Sequence, residues 1–412
     1  MTAELRVLEL YSGIGGMHYA LKESGVAGKV VAAIDVNTTA NEVYRHNFPD
    51  TPLWPKTIEG ISLEEFNKLS FDMILMSPPC QPFTRIGLQG DTSDPRTKSF
   101  LYILDLLPRL AVLPRYILLE NVKGFETSSA RDSLLHTLKD CGYTFQEILV
   151  SPTSLGIPNS RLRYFLIAKA PPGSFSFETS SEIVEGFPQP PSSKSSSHPI
   201  PAPALAPALA LAPATSCRGT GLKEQQEVVP PDPDRVVLYK LETARDADRK
   251  SNQNADLSVR QIQEFLKPRS DLGGEEEEEE VSQYLLPAKT LLRYALLMDI
   301  VTPACRRSVC FTKGYGHYVE GTGSVLMPGV EAEMHSVFKG LEELPAAQDE
   351  EKLRRLRTLR LRYFTPREIA TLMGFPSNLA FPERISTKQR YRVLGNSLNV
   401  RVVAKLIQIM AS

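Results

Sequence analysis

The chain has 412 residues and a formal net charge of −1, long enough for one large domain and a smaller companion at roughly 150 residues per domain. The near-neutral balance excludes a global basic field, so any nucleic-acid site has to be a local patch. Five cysteines, Cys80, Cys141, Cys217, Cys305 and Cys310, without CxxC spacing, argue against a disulfide framework and a structural zinc centre.

The N-terminus enters an apolar run with no basic leader and no long apolar span. A cytoplasmic protein that engages no membrane is therefore expected, with nuclear access as an alternative. Residues 5–11 read as a buried strand, broken by Ser12-Gly13-Ile14-Gly15-Gly16, and a helix begins near Met17. A strand over 29–35 ends in Asp35. Then follow a helix over 38–47, a strand over 71–76, a helix over 98–110 and a strand over 116–119 that runs into Glu120. A helix over 128–140 and strands over 143–150 and 163–169 complete a Rossmann-like α/β fold with a mostly parallel sheet, assigned to residues 1–170.

Residues 171–233 shift to Pro, Ala and Ser and are expected to be a disordered insert. A smaller domain is assigned to 234–360, with ordered pieces at 236–241 and 258–266. An acidic loop at 271–280 carries the unbroken run Glu275 to Glu280. Residues 361–412 carry helix and strand signals and are expected to pack back on the first domain.

The Gly13-Ile14-Gly15-Gly16 turn lets backbone approach a ligand, because glycine lacks a Cβ and tolerates positive φ. Asp35 follows at about the 20-residue spacing at which an acid accepts hydrogen bonds from a ribose. The third glycine of the dinucleotide fingerprint falls at His18, which disfavours a pyrophosphate. S-adenosylmethionine, an adenosine-bearing cofactor without a diphosphate, fits the shortened turn better. Ile58 and Glu59 are candidates for an adenine contact. A ligand-free turn, an NAD site, and ordinary loop and core duties for Ile58 and Glu59 stay open on the residues alone.

Ser77-Pro78-Pro79-Cys80-Gln81-Pro82-Phe83 follows the strand over 71–76, and its prolines forbid a helix while stiffening the loop. Cys80 is thus presented at a strand's carboxyl end, the edge where open α/β sheets hold ligands. Glu120 emerges from the next apolar strand. Desolvation there would raise its pKa and let it donate a proton, with a cap on the following turn as the alternative.

In order along the chain, Leu10 to Gly16, Ser77-Pro78-Pro79-Cys80, Glu120-Asn121-Val122, Arg161-Leu162-Arg163 and Gly395-Asn396-Ser397 together resemble the cytosine-5 methyltransferase family, over most of the two ordered ends. With Cys310-Phe311-Thr312 and almost no N-terminal extension, the resemblance is to the family's small tRNA-methylating branch. It implies methyl transfer from S-adenosylmethionine, leaving S-adenosylhomocysteine, to C5 of a cytosine in tRNA, cytosine 38 of aspartate tRNA. No metal and a monomeric enzyme are expected.

The resemblance implies that Cys80 adds to C6, that Glu120 engages N3 and the exocyclic amine, and that Arg161 and Arg163 serve the site. Ser12, Ile14, Gly15, Gly16, Asp35, Ile58, Glu59, Ser77, Asn396 and Ser397 would line the cofactor. From residue type alone, Arg161 and Arg163 could be strand-edge charges, and Ser397 a helix cap. Substrate selection falls to the region after Arg163, where Arg293, Arg306, Arg307, Lys313, Tyr315 and Tyr318 offer charge and stacking surfaces compatible with RNA. Cys305 and Cys310 are expected to pack or to sit as free thiols.

A zinc deaminase is disfavoured because its His-x-Glu and Pro-Cys-x-x-Cys signature is missing. An NAD oxidoreductase lacks the third glycine and a hydride-transfer site. DNA as substrate, and a weakly active nucleic-acid-binding scaffold, remain as alternatives.

Overall fold

The computed structural model describes residues 4–79, 97–189, 244–266, 281–342, 344 and 348–412. Apolar runs make the central strands β1 (Leu5–Leu10), β2 (Gly28–Ile34), β4 (Met73–Met76) and β5 (Tyr116–Val122), and β3 is the pair Leu53–Trp54. They are joined by helices α1 (Gly16–Ser24), α2 (Thr38–Asn47), α3 (Leu63–Leu69) and α4 (Lys98–Leu106). The predicted helix over 98–110 ends at Leu106 and tightens over Leu107–Arg109, where Pro108 has no N–H to continue the ladder.

Helix α5 (Ser129–Asp140) leads to β6 (Thr144–Val150), β7 (Arg163–Lys169) and the short β8 (Val184–Glu185). Their sheet runs β3-β2-β1-β4-β5-β7-β6-β8. It is mostly parallel, as expected, and becomes mixed only at β7, which lies antiparallel to both β5 and β6. That insertion sets Arg163 across from Val122, beside the acid on β5.

Residues 171–189 correct the expectation of disorder beginning at 171. β8 adds to the sheet beside β6, Phe177 is buried, and the Gln146 side chain donates to Glu182 O at 2.9 Å and accepts from Ser180 N at 2.7 Å. Buried phenylalanine and a satisfied amide order a stretch whose composition alone reads as linker. The Pro-Ala repeat, residues 236–241 and the acidic run 275–280 lie outside the described residues.

Strand alternation divides the core. Leu8 and Leu10 face α3 to α5, whereas Val7 faces α1 and the C-terminal helix Val400–Ala411, which packs on α1 and buries Leu406, Ile407 and Met410. Residues 361–412 therefore complete the first domain's core. A second sheet, β9 (Ile300–Val301), β10 (Val325–Leu326) and β11 (Arg362–Tyr363), supports a smaller apolar cluster around Leu291, Met298, Met334 and Phe338. Edge-to-face contacts of Tyr315 with Tyr363 of β11 at 5.4 Å and with Tyr391 at 5.0 Å tie the two parts together. Among the described residues no helix is long and apolar enough to cross a membrane.

Glu9 shares Val7's face and is fully buried. Its carboxylate accepts from His18 N at 3.2 Å and from the Tyr44 hydroxyl at 2.7 Å, and His18 Nδ1 lies 2.9 Å from that hydroxyl. Burial pushes Glu9 from 4.5 up to about 8, although Tyr44 and His18 pull it back. The folded protein therefore holds a proton there that the unfolded chain releases, and stability falls as pH rises through this window, by up to about 1.4 kcal/mol per pH unit. Urea midpoints at pH 5 and pH 8 should show wild type losing a few kcal/mol relative to Glu9→Gln. A pH-independent difference between the two would contradict the assignment.

Candidate functional site

The strand β1 delivers a turn built from left-handed residues. φ is +56° at Tyr11, +53° at Gly13 and +87° at Gly15. A Cβ on Gly15 would stand 2.4 Å from the Phe48 ring, and one on Gly16 would stand 3.1 Å from Ser397 Oγ and from Leu398. One on Gly13 would meet nothing within 4 Å. The turn is thus closed against the core and open on its outer side. Ser12 Oγ is buried with no hydrogen-bond partner, a polar atom left for a ligand.

Asp35 does local work that the spacing does not reveal. Its Oδ2 accepts from Gly13 N at 2.8 Å and its Oδ1 from Asn37 N at 2.7 Å. Burial raises its pKa, and these N–H groups oppose the rise. The carboxylate so held keeps further lone pairs for a ribose.

Ile14 and Ile58 are buried, so Ile14 can meet a ligand only through backbone, whereas Glu59 is exposed. Ser77 donates to Tyr11 O at 3.2 Å. Asn396 ends the helix Thr387–Gly395. Asn399, not Ser397, caps the C-terminal helix, its side chain accepting from Val402 N at 3.1 Å. This removes the capping alternative for Ser397 and leaves its hydroxyl beside Gly16. Asp35→Ala should weaken S-adenosylhomocysteine binding about tenfold or more by calorimetry, through loss of a charged hydrogen-bond acceptor that also shapes the turn. An unaltered isotherm would refute that role.

Glu120 emerges on β5 with 9% of its surface exposed, and Arg163 Nε lies 3.6 Å from its Oε1. Burial raises the carboxyl's pKa, and Arg163 and then Arg161 hold it down. Arg161 is 4% exposed, which overturns its reading as a strand-edge charge. Its guanidinium donates to Cys310 Sγ and Phe311 O, both at 3.1 Å, to Gly395 O at 3.4 Å and to Ser397 O. Its Nε is buried without a partner. A Cβ on Gly395 would lie 2.2 Å from the Thr312 carbonyl carbon, so only glycine lets these two backbones touch. Segments 161–163, 310–312 and 395–397 thereby converge.

Cys310 is a free thiol, as expected, and it has partners that the sequence did not show. Arg161 and Arg163 donate to its sulfur at 3.1 and 3.6 Å. Burial pushes this thiol's pKa up, but the two guanidinium groups outweigh burial and the net shift is downward. Cys305 is buried and packs in the core, where its sulfur accepts from Thr302 N.

Cys80 lies outside the described residues, as do Gln81 to Phe83. The chain is described as far as Pro79, and Asn121 Nδ2 reaches Pro78 O at 3.5 Å, so the strand end bearing Glu120 adjoins the stem that leads to Cys80. Two of the expected RNA-facing residues are structural. Arg307 is buried against Asp299 at 2.8 Å, and Tyr315 is buried with its hydroxyl donating to Ser324 O at 2.7 Å. Arg306 is partly covered, its backbone N–H bonded to Asn254. Arg293, Lys313 and Tyr318 are exposed.

Glu9 was missed as part of this region, and Tyr11 and Cys310 were read only as members of the motifs Leu10 to Gly16 and Cys310 to Thr312, without a role. For Glu9 the signal was an acid inside the apolar run Leu8-Glu9-Leu10, since a buried charge requires a partner. The arrangement can hold an adenosine-bearing ligand on the glycine turn, and it can present a buried carboxyl, its pKa raised by desolvation, and a guanidinium at the strand ends beside it. Among the described residues no His, Cys, Asp and Glu cluster is arranged to hold a metal ion.

The profile of a family described as C-5 cytosine-specific DNA methylase matches residues 5–412. The chain is 56% identical over 406 residues to the human tRNA (cytosine(38)-C(5))-methyltransferase, covering 98% of this chain and 99% of that protein. It is 37% identical over 413 residues to a Dictyostelium discoideum DNA (cytosine-5)-methyltransferase, covering 99% and 95%. The crystal structure of a Spodoptera frugiperda DNMT2 mutant superposes with a TM-score of 0.74 at 34% identity, covering 99% of this chain and all of that one.

Proposed function

This chain belongs to the C-5 cytosine-specific DNA methylase family, and from that membership we propose that it methylates C5 of a cytosine in tRNA, cytosine 38 of aspartate tRNA, with Cys80 as nucleophile. The observation that carries the reading is the desolvated Glu120, held by Arg163 at the strand end next to the stem of Cys80. The tRNA substrate rests on the 56% identical human relative.

Ser12, with its unpartnered hydroxyl, the open face of Gly13, and Asp35 fit S-adenosylmethionine. Ser77, Asn396 and Ser397 would border it. When bound, it supplies an electrophilic methyl group and leaves as S-adenosylhomocysteine.

The residues supply the rest. Thiolate addition from Cys80 at C6 breaks the ring's aromaticity and makes C5 enamine-like. A protonated Glu120 hydrogen-bonds N3 and stabilises the electron-rich ring, a role suited to a carboxyl whose pKa burial has raised. Arg163 orients that carboxyl, and Arg161 holds the three converging segments. Loss of the C5 proton and elimination of Cys80 restore the aromatic ring. The target base must leave its stack for this to happen, and Lys313 and Tyr318 are exposed candidates to receive the RNA.

Purified protein given methyl-labelled S-adenosylmethionine with either tRNA or duplex DNA tests the substrate. Label is expected in tRNA, at cytosine 38. The Dictyostelium relative favours DNA as the second reading, and predominant DNA labelling would replace tRNA. Binding of both polymers without turnover would instead make the chain a scaffold.

A further inference from the structure

Tyr11 stands between the cofactor turn and the two ends of the segment that carries Cys80. Its φ of +56° is a backbone conformation that residues with a Cβ rarely adopt. Strain of this kind persists only where the surroundings impose it. Here the carbonyl of Tyr11 accepts from Ser77 Oγ at 3.2 Å, and its hydroxyl donates to Ser99 Oγ at 2.9 Å.

Ser77 follows β4 and Ser99 lies in the first turn of α4. The chain leaving Ser77 reaches Cys80 three residues later and returns at Ser99. One residue therefore grips both stems, while the next residue, Ser12, offers the unpartnered hydroxyl of the cofactor turn. Burial keeps the phenol far above its ordinary pKa, so the hydroxyl remains a donor across the working range.

We propose that Tyr11 is a positioning residue for methyl transfer, clamping both ends of the segment that carries Cys80 onto the cofactor turn. The clamp rests on the reading of Cys80 as nucleophile. It sets the distance between two reactants delivered by different strands, and small misplacements at a reacting centre cost large factors in rate. The left-handed backbone turns the carbonyl toward β4, and the ring carries the hydroxyl across to α4. Phenylalanine would keep the first connection and lose the second.

The test uses the full-length protein as wild type, Tyr11→Phe, Ser99→Ala and the double variant. Each single variant should lower kcat on tRNA about tenfold. The double should fall no further than either single, because both changes remove one hydrogen bond. S-adenosylhomocysteine affinity, KM for tRNA and thermal midpoint should hold at wild-type values, which separates positioning from general support of the fold.

tRNA containing 5-fluorocytidine supplies a second readout: fluorine at C5 cannot leave as a proton, so the thiol adduct persists. Both single variants should form it about tenfold more slowly than wild type. Wild-type kcat in Tyr11→Phe, multiplicative losses in the double variant, or cofactor affinity falling in step with kcat would each overturn the proposal. Methylation by wild type without any trapped adduct would remove the Cys80 reading, and the clamp with it. Trapping at wild-type speed in Tyr11→Phe would remove the clamp alone.

Discussion

The Glu120→Gln variant should turn over about a hundredfold or more slowly than wild type, the usual contribution of a positioned acid or base. Glutamine matches the carboxyl in shape and can still donate a hydrogen bond, but it cannot carry the proton that the ring nitrogen needs as charge develops. The site favours that role: Glu120 is 9% exposed, and burial raises its pKa against the opposing pull of Arg163 and Arg161. Cofactor binding should be unaffected, because the glycine turn lies on β1 and Glu120 on β5. Single-turnover kinetics with tRNA and calorimetry with S-adenosylhomocysteine check the two halves. Unchanged turnover would exclude proton donation by this residue.

Arg161→Ala should destabilise the fold by about 3–5 kcal/mol, the range for removing one partner from a buried charged network. The guanidinium serves Phe311 O, Gly395 O, Ser397 O and Cys310 Sγ at once. Its removal leaves buried acceptors unsatisfied where three distant segments meet. Arg161→Lys should recover little, since a compact ammonium cannot reproduce a planar fork of donors. Urea unfolding measures both variants. A loss within about 0.5 kcal/mol, typical of a surface change, would show that the convergence is held by other contacts.

Much of the first domain was legible because each long element carries one period. The helix expected over 38–47 is Thr38–Asn47 and the strand expected over 163–169 is Arg163–Lys169. The place of β7 between β5 and β6 was not legible, since periodicity identifies a strand but not its neighbour. Strands β9, β10 and β11 are two residues each, too short to show alternation.

At the site, Asp35 and the glycine turn could be read from spacing, but the Asp35 bond to Gly13 N could not. Arg307 and Tyr315 were misread for a common reason. Composition marks a residue as able to bind RNA, whereas Asp299 and the Ser324 carbonyl, which claim them here, are tertiary partners. Cys310 shows the same limit, its partner Arg161 lying 149 residues away along the chain.

The most direct measurement is to incubate tRNA bearing 5-fluorocytidine with the protein and S-adenosylmethionine, digest the product, and locate the crosslink by mass spectrometry. The account predicts one bond, from Cys80 to the cytosine at position 38, and no crosslink in Cys80→Ala. A crosslink through Cys310, or efficient methylation with no crosslink at all, would contradict it.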